Sequence, residues 1–286
     1  MKLAQENDRV LLISRDHKEY LVRLKRGDMF HTHRGVVAHD DILDAPLGRE
    51  VTSRMGQPFM VLPPSMHDLL LHIKRNSQII FPKEIGQILL RLNVARALKV
   101  IEAGTGSGAL TTAMAATIRA DGMIYSYEAR EDMLQIARYN LEAAGVAERA
   151  TLLHHDITAG FTESDADALF LDVREPWLYM TQVCEALADG GFFGSIVPTA
   201  NQVSWLLNEL NRYPFTNLEV IEIMERRYKP VPARLRPEDR MIGHTGYLIF
   251  ARKIAGELPP RDNSGHDEVY DDLPPGLPDE ERDGDG

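Results

Sequence analysis

The sequence predicts an α/β protein: a doubly wound, largely parallel seven-stranded sheet with an antiparallel edge hairpin, preceded by a small all-β domain. Three observations predict it. From Leu98 onward, seven apolar runs of strand length recur, with helical segments between the early ones. A glycine-rich turn, Gly104-Thr105-Gly106-Ser107-Gly108, joins the first of these strands directly to a helix. Residues 1–62 instead carry short alternating runs separated by turn residues, without a helical period.

In that first segment the runs are RVLLISRD, EYLVRLKR, MFHTHRGVVAHDDIL and REVTSRMGQPFMVLPP. Pro63 and Pro64 mark a boundary. Two helical patterns open the 63–255 domain, SMHDLLLHIKR and KEIGQILLRLN, the second entered through Phe81-Pro82. The strands that follow are LKVIEAG, GMIYSYEA, ATLLHHD, ADALFLDV, GGFFGSIVP, LEVIEIMERR and HTGYLIFARK. Tyr228 to Gly243 has no helical period, so the last two strands are expected to pair as the edge hairpin. Residues 256–286 read as a disordered acidic tail, with Pro-Pro, Asp-Asp and Gly-Asp-Gly elements and few large apolar residues.

Composition narrows the function classes. No apolar run approaches the roughly 18 residues of a membrane span, and MKLAQENDRV lacks the apolar core of a signal peptide, so a cytoplasmic protein without a membrane partner is expected. A single cysteine, Cys184, rules out an internal disulfide and zinc-ribbon chemistry, and its amphipathic setting reads as core. The net charge of −11 is unevenly placed: the thirty residues from Glu257 hold eleven Asp and Glu against two Arg. The rest of the chain therefore carries only −2 and can present a basic face.

The glycine turn is a nucleotide-type pocket, but Gly104-x-Gly106-x-x-Ala109 also fits the dinucleotide fingerprint. Three carboxylates shift the balance. Glu102 stands two residues before the first glycine, where it suits the ammonium of a methionine moiety and repels a pyrophosphate. Glu128 ends the second strand, the position that accepts from ribose hydroxyls. Asp156 ends the third strand, placed to accept from an adenine amine while Ala129 and Ile157 flank the ring; a turn-capping role is the other reading of this aspartate. Acids at three successive strand ends suit a cationic sulfonium nucleoside, S-adenosylmethionine, held by Glu102, Gly104, Thr105, Gly106, Ser107, Gly108, Ala109, Glu128, Ala129, Asp156, Ile157 and Asp172. This arrangement resembles the class I methyltransferase pattern.

Asp172 ends the fourth strand beside the glycine turn, where open α/β sheets bind ligands. Pro176 and Trp177 are expected to wall a planar acceptor, in a stretched form of the Asp/Asn-Pro-Pro-aromatic element of amino-methylating enzymes. Capping of the next helix by Asp172 is the alternative.

Glu102 to Gly108, Ser126-Tyr127-Glu128-Ala129-Arg130, Leu171-Asp172 with Glu175-Pro176-Trp177, and Gly243-His244-Thr245-Gly246 together resemble the tRNA (adenine-58-N1)-methyltransferase family. The similarity runs from the β domain through Lys253. It implies a Rossmann-like methyltransferase sheet, S-adenosylmethionine as cofactor, a homotetramer, tRNA as substrate and Asp172 as the catalytic residue. One departure stands in SQIIFPKE, which resembles the family's Tyr-Pro-Lys-Asp element but has Phe81 at the aromatic position. Phenylalanine can stack yet lacks the hydroxyl; an apolar staple before the helix is the other reading.

Two basic clusters offer phosphate contacts. One is Arg15, Lys18, Arg23, Lys25, Arg26 and Arg34 in the β domain. The other is Arg226, Arg227, Lys229, Arg234, Arg236 and Arg240 around Tyr228, of which Arg226, Arg227, Arg234 and Arg236 are assigned to the substrate. His31 and His33, read as one strand face, and His154-His155 lack the spacing that completes a metal site, so no metal is expected. His244 reads as a tether for the edge hairpin. A methyltransferase for a protein or small molecule, a noncatalytic RNA-binding subunit and a dehydrogenase are the competing readings.

Overall fold

A computed structural model describes residues 3–256; the expected acidic tail from residue 257 lies outside the described residues. The N-terminal region is all β, as its alternation predicts. Strands β1 (Arg9–Ser14), β2 (Glu19–Arg23), β5 (Arg49–Thr52) and β6 (Pro58–Leu62) form an antiparallel sheet in the order β2-β1-β6-β5. The third apolar run folds on itself as a hairpin of β3 (Met29–Thr32) and β4 (Gly35–Ala38). His33 falls in its turn rather than on the strand, so His31 and His33 do not share a strand face. Val10, Leu12, Val22, Leu24, Val37, Phe59 and Val61 make a separate core, capped by edge contacts of Tyr20 with Phe30 and Phe59.

Helix α1 (Met66–Leu71) starts with a reciprocal capping box between Ser65 and Asp68. It stops short of the helix expected to reach Arg75. The amide of Asn140 takes up Lys74, accepting from its N–H at 3.1 Å and donating to its carbonyl at 2.7 Å, so those backbone groups are withdrawn from helical pairing. Helix α2 (Pro82–Arg91) opens with proline, which holds Phe81 extended as its N-cap.

The second sheet combines β7 (Lys99–Ala103), β8 (Met123–Glu128), β9 (Ala150–His154), β10 (Ala166–Leu171), β11 (Leu187–Val197), β12 (Phe215–Glu222) and β15 (Tyr247–Lys253). Their order is β12-β15-β11-β10-β7-β8-β9. Strands β11 to β9 are parallel, whereas β15 pairs antiparallel with both β11 and β12 and so delivers the expected edge hairpin. Helices α3 (Ala109–Thr117), α4 (Glu131–Ala144), α5 (Met180–Ala186) and α6 (Ala200–Leu210) complete the domain.

Strand alternation assigns successive residues to opposite faces. Val100, Ala168, Phe170, Leu248 and Phe250 pack with α2 and α3. Their neighbours Ile101, Leu169, Leu171, Ile249 and Ala251 pack with α5 and α6, and part-buried Cys184 joins that side. Burying each such large side chain contributes roughly 1.5–3 kcal/mol.

Residues 223–246, between β12 and β15, leave the sheet as an excursion. Within it β13 (Tyr228–Lys229) and β14 (Arg236–Pro237) form a short ribbon where a plain loop is expected. No described helix is long and apolar enough to cross a membrane.

Candidate active site

The chain reverses its direction across the sheet between β7 and β10, and the loops that follow these two strands meet at that point. Asp172 N–H donates to the Ala103 carbonyl at 2.8 Å, fixing the two strand ends together. Gly104 has φ +96°, and a Cβ there would lie 2.0 Å from the Asp172 carbonyl oxygen, so only glycine allows this approach. Gly108, φ +78°, sits behind the turn against Ala137 and does not face the cleft.

Glu102 is 1% exposed at the base of the turn, and Thr111 at 2.5 Å and Ser126 at 2.7 Å both donate to its Oε2. Burial pushes its carboxyl up to about 8 against the two hydroxyls, with the charges of Asp172 and Glu128 acting in the same direction as burial. Thr105 bonds Ser126 at 2.6 Å, and the Ser107 carbonyl accepts from Asn140 at 2.8 Å. The buried Ser107 hydroxyl has no partner among the described residues.

Glu128 closes the turn from the end of β8, accepting from Gly106 N–H at 2.9 Å and from Arg130 N–H at 3.1 Å. Asp156 caps the turn after β9 by accepting from Thr158 N–H at 2.9 Å, and this bonding lowers its carboxyl. Its capping role and its place in the cleft hold together. A cavity of about 810 Å³ is lined by Gly104, Gly106, Glu128, Ala129, Asp156 and Ile157, with Asp172 and Tyr179 at its other side. Glu102, Thr105, Ser107 and Ala109 line a narrow extension that also reaches Asp172.

Asp172 is exposed by surface area yet enclosed by the protein packed around it. The two descriptions agree because its open surface faces the cleft. Restricted hydration, with Glu128 adding its charge, pushes the Asp172 carboxyl up to about 6. Asp172 also lines a second cavity of about 220 Å³, with Gln78, Phe81, Glu84, Pro198 and Thr245 around it. It thus stands at the junction of a cofactor-sized cleft and an adjoining acceptor-sized one.

Pro176 and Trp177 are placed elsewhere. Pro176 is buried at the start of a 3-10 turn, and Trp177 packs edge-on against Trp205 at 5.1 Å; neither lines the cavities around Asp172. The acceptor cavity is walled instead by Gln78 to Phe81 and by Ile196 to Pro198. Gln78, Glu84 and Thr245 line this cavity from within the SQIIFPKE and Gly243-His244-Thr245-Gly246 segments, which give them no role of their own, whereas Asn140, bonded to the Ser107 carbonyl, belongs to no motif, although a lone polar residue within the apolar face of α4 is a visible signal.

The two basic clusters separate. In the β domain, Arg34 and Lys18 pair with Asp16, Arg26 with Asp44 and Lys25 with Asp28. In the excursion, Arg227 pairs with Glu225 and Lys229 with Asp239, while Arg226, Arg234, Arg236 and Arg240 are exposed and make no ion pair among the described residues. His244 bridges Glu222 at 2.6 Å and the Pro198 carbonyl at 2.7 Å, the tether expected of it. His154 and His155 bond the carbonyls of Ala129 and Gly160, and the described residues contain no cluster of three or more metal-ligating side chains.

Comparison with known proteins places this geometry. Residues 59–236 match the family described as tRNA methyltransferase complex GCD14 subunit, and residues 4–51 match the TrmI-like N-terminal family. The tRNA (adenine(58)-N(1))-methyltransferase TrmI of Thermus thermophilus is 32% identical, across 85% of this chain and 96% of its own. A Methanocaldococcus jannaschii relative named for adenines 57 and 58 is 30% identical, across 85% and 94%. Among solved structures, TrmI from Aquifex aeolicus, a tRNA (m1A58) methyltransferase, superposes with a TM-score of 0.78 at 34% identity over 89% of this chain and all of that one. A Thermotoga maritima structure described as a SAM-dependent O-methyltransferase superposes with a TM-score of 0.85 at 40% identity over 90% and 96%. From its β domain to its edge hairpin, this chain belongs to the tRNA (adenine-58-N1)-methyltransferase family.

Proposed function

We propose that this enzyme transfers a methyl group from S-adenosylmethionine to N1 of adenosine 58 in tRNA. The observation that carries the reading is the position of Asp172, shared by the cofactor-sized cleft and the acceptor-sized cavity.

The residues present fit the cofactor. Glu102 suits its ammonium, the unpartnered Ser107 hydroxyl its carboxylate, Glu128 its ribose and Asp156 its adenine amine, beside Ala129 and Ile157. Bound there, S-adenosylmethionine supplies an electrophilic methyl carbon on a sulfonium. N1 of adenine carries a free lone pair, so attack needs no base. The transfer that the cofactor would supply breaks the sulfur–methyl bond as N1 bonds the methyl carbon, and would leave the positive charge on the ring. Asp172 accepts from the exocyclic amine, orienting N1 and stabilising the charge that develops on the ring. Phe81 offers a face to the base, and the unpaired arginines of the excursion hold phosphates around it. A cytoplasmic homotetramer, implied by the family resemblance, completes the proposal.

Labelled methyl from the cofactor should be recovered from tRNA transcripts as 1-methyladenosine, and replacing adenosine 58 should abolish it. Recovery as an O-methylated nucleoside would refute the N1 assignment; O-methyl transfer is the reaction class in the description of the Thermotoga structure. An intact turn from Glu102 to Gly108 with Glu128 and Asp172 weighs against a noncatalytic subunit.

A further inference from the structure

Glu84 closes the SQIIFPKE segment in the first turn of α2 and is 1% exposed. Its Oε1 accepts from both Lys83 and Thr245. Lys83 Nζ also donates to Thr245 Oγ1 and to the Ile223 carbonyl, each at 2.7 Å. One ammonium thus holds both ends of the 223–246 excursion against α2, and both donors to the Glu84 carboxylate converge on one oxygen. Oε2 is buried and has no hydrogen-bond partner among the described residues. Buried carboxylate oxygens without a donor are uncommon and unfavourable.

Glu84, the residue that carries this orphan acceptor, is among those lining the cavity shared with Asp172 and Phe81. Resting on the function proposed above, we propose that Glu84 is a substrate-contacting residue: its Oε2 accepts from an N–H or O–H of the target nucleoside while Asp172 accepts from another. The pocket then selects a nucleoside with two donors placed to reach two carboxylates. A ligand lacking the donor that Glu84 uses leaves its buried Oε2 without a hydrogen bond, although Oε1 keeps its bond to Lys83, and an unmet buried acceptor of this kind is what discriminates between substrates. The exocyclic amine and the ribose 2′-hydroxyl both supply the required chemistry.

The test pairs enzyme and substrate changes in a cycle. Wild type and Glu84→Gln are assayed in single turnover on tRNA transcripts carrying adenosine, purine riboside or 2′-deoxyadenosine at the target position. On adenosine, Glu84→Gln is expected to lower kcat/KM about ten- to a hundredfold, with cofactor affinity unchanged. On the substrate that lacks the donor Glu84 uses, the variant should lose little more, and which substrate this is identifies the amine or the hydroxyl. If the losses multiply on both altered substrates, Glu84 serves only as part of the Lys83 clamp and the proposal is overturned. Should Glu84→Gln fail to fold, Glu84→Asp, which keeps the charge but withdraws it, takes its place, and the same coupling or its absence decides. Wild type that leaves even the adenosine transcript unmethylated would refute the functional reading itself, a result distinct from additive losses.

Discussion

Gly104 and Asp172 touch backbone to backbone: a Cβ on the glycine would stand 2.0 Å from the aspartate's carbonyl oxygen and 2.7 Å from its carbonyl carbon. The glycine turn and the strand end that carries Asp172 are therefore positioned by each other. Gly104→Ala must push them apart and also adopt φ +96°. The expected penalty is roughly 2–4 kcal/mol of stability, accompanied by loss of cofactor binding. Thermal unfolding and cofactor titration of the variant check this; a native-like midpoint with normal affinity would show that the two loops have room to separate.

In the role proposed for it, Asp172 accepts best when ionised, because protonation turns one of its two acceptor oxygens into a donor. Its carboxyl is raised to about 6 by restricted hydration first and by Glu128 second. Single-turnover methylation should therefore fall as pH drops through about 6, because the protonated acid presents an O–H toward the amine. Asp172→Asn should remove this limb of the profile and lower the rate about a hundredfold or more. A wild-type profile that stays flat across the range from weakly acidic to weakly alkaline, or an Asn variant that keeps the limb, would place the titration on another group.

Glu102 links cofactor binding to protons. Its folded carboxyl titrates at about 8 against an ordinary 4.5, so the folded state holds a proton there that the unfolded chain has lost. Stability from this group is full below about 4.5 and declines as pH rises toward about 8. Glu102→Gln should therefore raise Tm relative to wild type at neutral and alkaline pH while weakening cofactor binding. Pairing with the cofactor's ammonium favours the ionised form, so binding near neutral pH should release protons in wild type but not in the variant. Calorimetric titrations in two buffers of different ionisation enthalpy measure this release directly.

The strands of the sheet and the acids at their ends were legible because their signals are local. Strand periodicity marks each run, and Glu102, Glu128, Asp156 and Asp172 each sit at or just beyond a strand end, where the chain leaves the sheet. The second cavity was legible only at Asp172 and Phe81. Glu84 and Lys83 gain their meaning from Thr245, more than 160 positions later, and Asn140 from Lys74, 66 positions earlier. Pro176 and Trp177 lie next to Asp172 in sequence, but Trp177 is drawn to Trp205 on α6, and proximity along the chain does not become proximity in the cleft. Charge counting likewise found two basic clusters where ion pairing leaves one largely uncompensated.

That difference between the clusters predicts how salt acts on tRNA binding. Arg234, in the turn between the two strands of the excursion's ribbon, and Arg236, at the start of β14, are exposed and without an ion-pair partner among the described residues, whereas Arg26 and Arg34 are each already engaged by an aspartate at 2.9 and 2.7 Å. A cation that neutralises phosphate releases condensed counterions, and removing one such cation reduces the slope of log K against log salt by roughly 1. Arg234→Ala with Arg236→Ala should therefore weaken tRNA binding and flatten the salt dependence by roughly 2. Arg34→Ala should leave the slope nearly unchanged, because that guanidinium must break its bond to Asp16 before it can meet a phosphate. Filter-binding or fluorescence titrations between roughly 50 and 200 mM salt, where phosphate neutralisation has a large effect on affinity, separate the cases. Equal slopes for the double variant and wild type would move the RNA path off the excursion, and a flattened slope for Arg34→Ala would bring it back to the β domain.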